Sequence, residues 1–116
     1  MKTAHTLFEN NDFGPCCFFC QQAAEKALKA LLYMKGLRIY GHSLVNLLGR
    51  VVTEDYPEPD EAVQQAADRL DKHYISSRYP DALEGQISVD LYTAEMAEEA
   101  LEWAHSLLQY SGEKLA

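Results

Sequence analysis

The sequence predicts an all-α domain: an antiparallel up-and-down bundle of four main helices plus a short N-terminal helix, spanning residues 1–116 as one unit. Three observations point there. The stretch Pro15–Gly36 runs for about twenty residues without an internal breaker, enough for a rod of roughly 30 Å. Three further stretches repeat their apolar residues at helical spacing. No stretch alternates convincingly with a period of two, as a half-buried strand would.

The elements follow in order. Residues 2–10 form a short leading helix anchored by Leu7 and Phe8, and Asn10-Asn11-Asp12 before Gly14-Pro15 is turn chemistry. Pro15 suits the first position of the central helix and Gly36 the left-handed stop beyond its end. At 100° per residue, Gln21, Gln22, Glu25, Lys26, Lys29 and Tyr33 gather into one polar wedge. The rest of the girth is apolar or small, so this rod needs neighbours on at least two sides. The wedge needs solvent or polar partners, solvent being the default.

Ser43 caps a third helix with the stripe Leu44, Leu47, Leu48, Val51 and Val52, reaching about Asp55. Tyr56-Pro57-Glu58-Pro59 interrupts, and Asp60 caps a fourth helix with Val63, Ala66, Ala67, Leu70 and Tyr74 facing inward. Tyr79 precedes Pro80, which places the end of that helix near Arg78. A loop without helical period runs from Tyr79 to Tyr92, a length often associated with function or mobility. Thr93 caps the last helix, whose first turns carry Glu95, Glu98 and Glu99, the sign its dipole favours. Ala97, Ala100, Leu101, Ala104, Leu107 and Leu108 are its buried stripe.

Composition narrows the function classes. The chain is 47% hydrophobic, which argues against disorder, and it contains no apolar run long enough for a membrane span. MKTAHTLFENND lacks the apolar core of a signal peptide, giving the expectation of a soluble, cytoplasmic protein. A net charge of −8 opposes broad, salt-driven binding to nucleic-acid backbone, though a local basic pocket is compatible with it. Cys16, Cys17 and Cys20 lie in one helix, with no nearby His, and read as buried apolar cysteines. His5, His42, His73 and His105 are not paired at i, i+3 or i+4, so a metal site would have to be built across helices. No metal is expected.

Three clusters could carry chemistry. Tyr74-Ile75-Ser76-Ser77-Arg78-Tyr79-Pro80-Asp81 places an arginine between tyrosines, where it could fork onto a phosphate while a ring stacks on a base. In the plainer reading Arg78 caps its own helix and pairs with Asp81. Gly41-His42-Ser43 stands at a helix N-terminus, an end that accepts anions, with a histidine able to donate; the plainer reading is a cap. The third cluster is Gln22, Glu25 and Lys29 in the polar wedge.

QQAAEKALKALLYMKG, GHSLVNLL, LDKHYISSRYPDA and TAEMAEEALEWAHSLL, in that order, resemble the HEPN domain family from about Phe13 to Leu108. The RYPD-containing, nucleotidyltransferase-associated type is the nearest in pattern. The resemblance implies a bundle of four to five helices, commonly a homodimer, in prokaryotes. It also implies a neighbouring small nucleotidyltransferase and, in some pairs, toxin and antitoxin roles. The expected function is a nucleotide-binding or partner-binding module, with Arg78 on phosphate, Tyr79 or Tyr74 stacking, His42 donating, and Asp81, Gln22, Glu25 and Lys29 completing the pocket. A nucleotide or RNA is the expected ligand, and no cofactor is. Some members are metal-independent ribonucleases using an Arg followed after about four to six residues by a His, for acid–base work at a phosphate. Here Arg38 and His42 enclose only three residues, as do Arg69 and His73. The chain therefore departs from that motif and leans away from an enzyme. The alternatives are a ribonuclease toxin with an atypical Arg/His site and a purely structural subunit.

Overall fold

The computed structural model describes residues 1–74 and 91–115, with side chains as far as Glu113. Five helices are described: α1 (Lys2–Glu9), α2 (Phe13–Met34), α3 (Leu44–Thr53), α4 (Glu61–Asp71) and α5 (Ala94–Leu115). No strand occurs among the described residues. The fold is the expected all-α up-and-down bundle. Of the described helices, α2 alone packs against all four others, while α5 lies along α1, α2 and α4.

The centrality of α2 follows from its composition. Cys16, Cys17, Cys20, Ala24, Leu28, Leu31 and Leu32 are all fully buried. The three cysteines are packing residues: burial pushes the Cys17 thiol up to about 12, and a hydrogen bond to Cys16 together with burial raises Cys20 as well. The helix starts two residues before Pro15, earlier than the sequence suggests. Pro15 still falls within the first turn, where amides have no intrahelical partner, so its missing N–H costs nothing. At the other end Gly36 adopts φ +79°, its N–H bonds Tyr33 O at 2.9 Å, and Leu37 N–H reaches back to Leu32 O at 3.0 Å. This is the glycine-terminated Schellman stop.

One face of α2 is left uncovered. Phe19, Ala23, Lys26, Ala30, Tyr33 and Met34 follow one another at helical spacing, and Phe19, Tyr33 and Met34 are exposed. The expected neighbours on at least two sides are present on the cysteine and leucine faces, and this stripe is the side without one among the described residues.

Capping follows the side-chain chemistry. Ser43 Oγ accepts from Asn46 N at 3.2 Å, Asp60 Oδ1 from Val63 N at 3.0 Å, and Thr93 Oγ1 from Met96 N at 3.2 Å. Helix α4 ends at Asp71, short of the expected end near Arg78, a position outside the described residues. That ending puts the Asp71 carboxylate on the N-terminus of α3. It accepts from Leu44 N, from Val45 N at 3.1 Å and from the Ser43 hydroxyl at 3.1 Å. The anion-accepting helix end is therefore filled by the protein's own carboxylate, which also locks α3 to α4.

Asp71→Ala leaves the amide of fully buried Leu44 without its acceptor and removes a charge from a favourable helix end. It should lower unfolding free energy by about 1–3 kcal/mol. Urea denaturation followed by circular dichroism measures this; a change within error would show that the cross-helix cap contributes nothing.

Candidate functional site

The polar wedge of α2 turns inward at its middle. Gln21 is fully buried and Glu25 is 6% exposed, so the expected solvent exposure is wrong for both. The connection between α2 and α3 covers them. Gln21 Nε2 donates to the His42 carbonyl at 2.8 Å, and its own Oε1 accepts from Gln22 Nε2 at 2.7 Å. Glu25 receives the Lys29 ammonium on Oε2 at 3.1 Å and the His42 ring through Nδ1, at 3.1 Å to Oε1 and 3.3 Å to Oε2. A carboxylate placed so far from water requires such partners, because an unpaired buried charge is strongly unfavourable.

Because Lys29 already donates to Glu25, the carboxylate acts as acceptor and His42 Nδ1 carries the donated proton. The His42 side chain is half exposed, and with Nδ1 committed to Glu25 the opposite nitrogen, Nε2, is the one left for solvent or a ligand. Tyr74, just beyond α4, fixes the plane of the imidazole: the rings stack with centroids 4.4 Å apart and planes 14° from parallel. Phe18 of α2 backs Tyr74 with centroids 6.0 Å apart. Three elements thus converge on one imidazole.

Of the eight residues expected at the site, the structure brings together Gln22, Glu25, Lys29, His42 and Tyr74. Arg78, Tyr79 and Asp81 lie outside the described residues. The role of His42 differs from the expectation. The backbone N–H groups of the neighbouring helix end belong to Asp71, and the histidine instead reaches across to α2.

Two further groups escaped the sequence reading. Gln21 was recognisable only as one polar residue among several; nothing in the spacing shows that its amide anchors the His42 backbone. The second is an open groove beside the Glu25 pair, lined by Lys29, Ala30, Tyr33, Met34, Leu37, Arg38, Ile39 and Tyr40. It offers two cations and two tyrosines, and Tyr40 is 88% exposed. The signal was the run Leu37–Tyr40, which has cationic and aromatic residues in a connection rather than a helix.

A buried histidine, His73, lies just beyond the end of α4. His73 is 7% exposed, its Nδ1 stands 3.1 Å from the Tyr92 hydroxyl, and its ring stacks at 6.5 Å on Trp103, which Arg69 overlies. This contact joins the residues on either side of the segment 75–90. Among the described residues no group of three or more His, Cys, Asp or Glu forms a metal cluster, and no helix is long and apolar enough to cross a membrane.

The chain is a small helical bundle with a carboxylate-held histidine near a cationic and aromatic groove. The HEPN domain model matches residues 1–115, and the chain belongs to the HEPN family. It is similar to TT1696 from Thermus thermophilus, at 40% identity and TM-score 0.83, over 97% of this chain and 87% of that one. It is also similar to ST0689, described as an archaeal HEPN homologue, at 30% identity and TM-score 0.77, over 99% of this chain and 88% of that one. A Methanocaldococcus jannaschii protein named "Putative toxin MJ1304" is 27% identical over 94% of this chain and 76% of its own length.

Burial, and secondarily the Lys72 charge, lowers the His73 pKa from 6.5 to about 4. The folded state therefore holds His73 neutral where the unfolded chain protonates it. Stability is full above pH 6.5 and falls as pH drops towards 4, by about 3 kcal/mol from this group. Urea unfolding at pH 7, 5.5 and 4 should show a steeper loss in the native protein than in His73→Gln. Parallel pH profiles would mean that His73 is not kept neutral by the fold.

Proposed function

We propose that the chain is the toxin-type member of a two-component pair, a HEPN module that binds a nucleotide or a short stretch of RNA. Its partner would be a small nucleotidyltransferase. The ligand site is the His42 face and the adjoining groove. The observation that carries this reading is His42 itself: Glu25 and Tyr74 hold its ring, and Lys29, which shares the Glu25 carboxylate with it, lines the groove together with Tyr33, Arg38 and Tyr40. Phosphate oxygens suit the Lys29 and Arg38 heads, and a base suits an exposed tyrosine ring. Residues Arg78, Tyr79 and Asp81, which follow Tyr74 closely in the chain, would add a further cation and stacking surface. The similarity to a protein named as a toxin supports the toxin role. The exposed stripe Phe19, Tyr33 and Met34 supports pairing of two copies along α2. A cytoplasmic location accords with such a role.

The same geometry favours a second reading, metal-independent ribonuclease. A carboxylate on Nδ1 orients an imidazole and leaves Nε2 to take or give a proton, the arrangement of a general acid–base residue. A 2′-hydroxyl would be its proton donor and a cationic side chain would stabilise the phosphate.

Calorimetric titration with ATP should give saturable binding, weakened at least about tenfold in His42→Ala and Arg38→Ala. No heat at millimolar ATP or oligoribonucleotide, with the bundle folded, would overturn the binding reading. Incubation with oligoribonucleotide separates the two roles: cleavage lost in His42→Ala and reduced in Glu25→Gln establishes the enzyme, whereas binding without cleavage leaves the module.

A further inference from the structure

His5 of α1 and His105 of α5 meet at the surface, a hundred residues apart in the chain. Their Nε2 atoms stand 3.1 Å from each other while the ring centroids are 5.2 Å apart, so the Nε2 edges face one another. Both residues are exposed. Metal–imidazole bonds of about 2.0–2.1 Å, spread over right-angle to tetrahedral geometry, separate the two nitrogens by about 2.9–3.4 Å. The observed span falls inside that interval before any metal is added.

We propose that His5 and His105 form an interhelical two-histidine site for a divalent transition cation of the imidazole-preferring kind, with Zn²⁺ as the probe. Both rings bind as neutral imidazoles through Nε2, leaving the Nδ1–H edges to solvent. Water occupies the remaining positions. Glu9 follows His5 by four residues on α1, and Glu102 precedes His105 by three on α5, so each histidine has a carboxylate one turn away on its own helix. Lys2, three residues before His5, is the opposing charge on α1.

The position gives the site a physical consequence. Helix α1 has eight residues, too few to be stable alone, and among the described helices packs only on α2 and α5. Ala4 is its sole buried residue. A cation shared by His5 and His105 ties this weakly held helix to α5, which it touches less extensively than α2. Because the unfolded chain does not bring the two rings together, binding stabilises the folded state by mass action. Protons compete for the same lone pairs, so the effect fades in acid.

The test uses the full chain, stripped with chelator and then given about 1 mM Zn²⁺. The melting temperature should rise by about 3–8 °C, reversibly on chelation, with one ion bound per chain. Nuclear magnetic resonance should show the His5 and His105 rings shifting while His42 and His73 stay in place. His5→Ala and His105→Ala, both at exposed positions, should each abolish the rise. An unmoved melting temperature would leave the two rings with a hydrogen bond only and overturn the site. A rise that persists in both variants, or ring shifts confined to other histidines, would place the ion elsewhere and overturn it equally. If either variant fails to fold, the ring shifts of the unmodified chain decide alone.

Discussion

A single carboxylate organises the candidate site. Glu25 sits midway along the helix that every other described helix touches, and burial there obliges it to find counter-charges and donors. Lys29 supplies one from the next turn of the same helix. The second comes from outside α2, through His42, and the hydrogen bond from Gln21 to the His42 carbonyl holds the backbone that delivers it. The path of residues 35–43 is thus set at both ends: by the glycine stop at Gly36 and by the polar pair on α2. The placement of the candidate imidazole follows from satisfying a buried charge, so its orientation is fixed by Glu25 and Tyr74.

Asp71 makes the complementary connection. Its capture of the α3 N-terminus ties α3 to α4 and occupies the amides that would otherwise attract an anion. The helix end is thereby closed to an anion, and the proposed ligand site is the side-chain face formed by His42, Lys29 and the Leu37–Tyr40 connection. Tyr74, reached directly after α4, then meets the imidazole by stacking. One short stretch, Asp71 to Tyr74, caps a neighbouring helix with its first residue, places a neutral histidine in the core with its third and shapes the site with its fourth.

Much of the fold was legible because it depends on local rules. Apolar spacing located α3, α4 and α5; Ser43, Asp60 and Thr93 marked their starts through side-chain capping; Gly36 marked the end of α2 through its left-handed conformation. The errors arose where long-range contacts overrode those rules. A helical wheel cannot show that Gln21 and Glu25 are roofed by residues about twenty positions away, nor that Phe19 and Met34, apolar by type, remain exposed. For the site, residue types picked out Glu25, Lys29, His42 and Tyr74, which the fold brings together, but partners that meet across helices, such as Asp71 with Leu44, leave no periodic signal. Arg78, Tyr79 and Asp81 belong to the sequence reading alone.

The central claim is that Glu25 holds His42 as the Nδ1–H tautomer, with Nε2 left for solvent or a ligand. Nitrogen-15 spectra of the histidine rings, recorded at a pH where His42 is neutral, test this most directly. The account predicts an Nδ1 protonated in the pattern of a carboxylate-bound donor and an Nε2 with the shift of a free acceptor, both collapsing to rapid tautomer averaging in Glu25→Gln. An averaged or Nε2–H ring in the unmodified protein would contradict it.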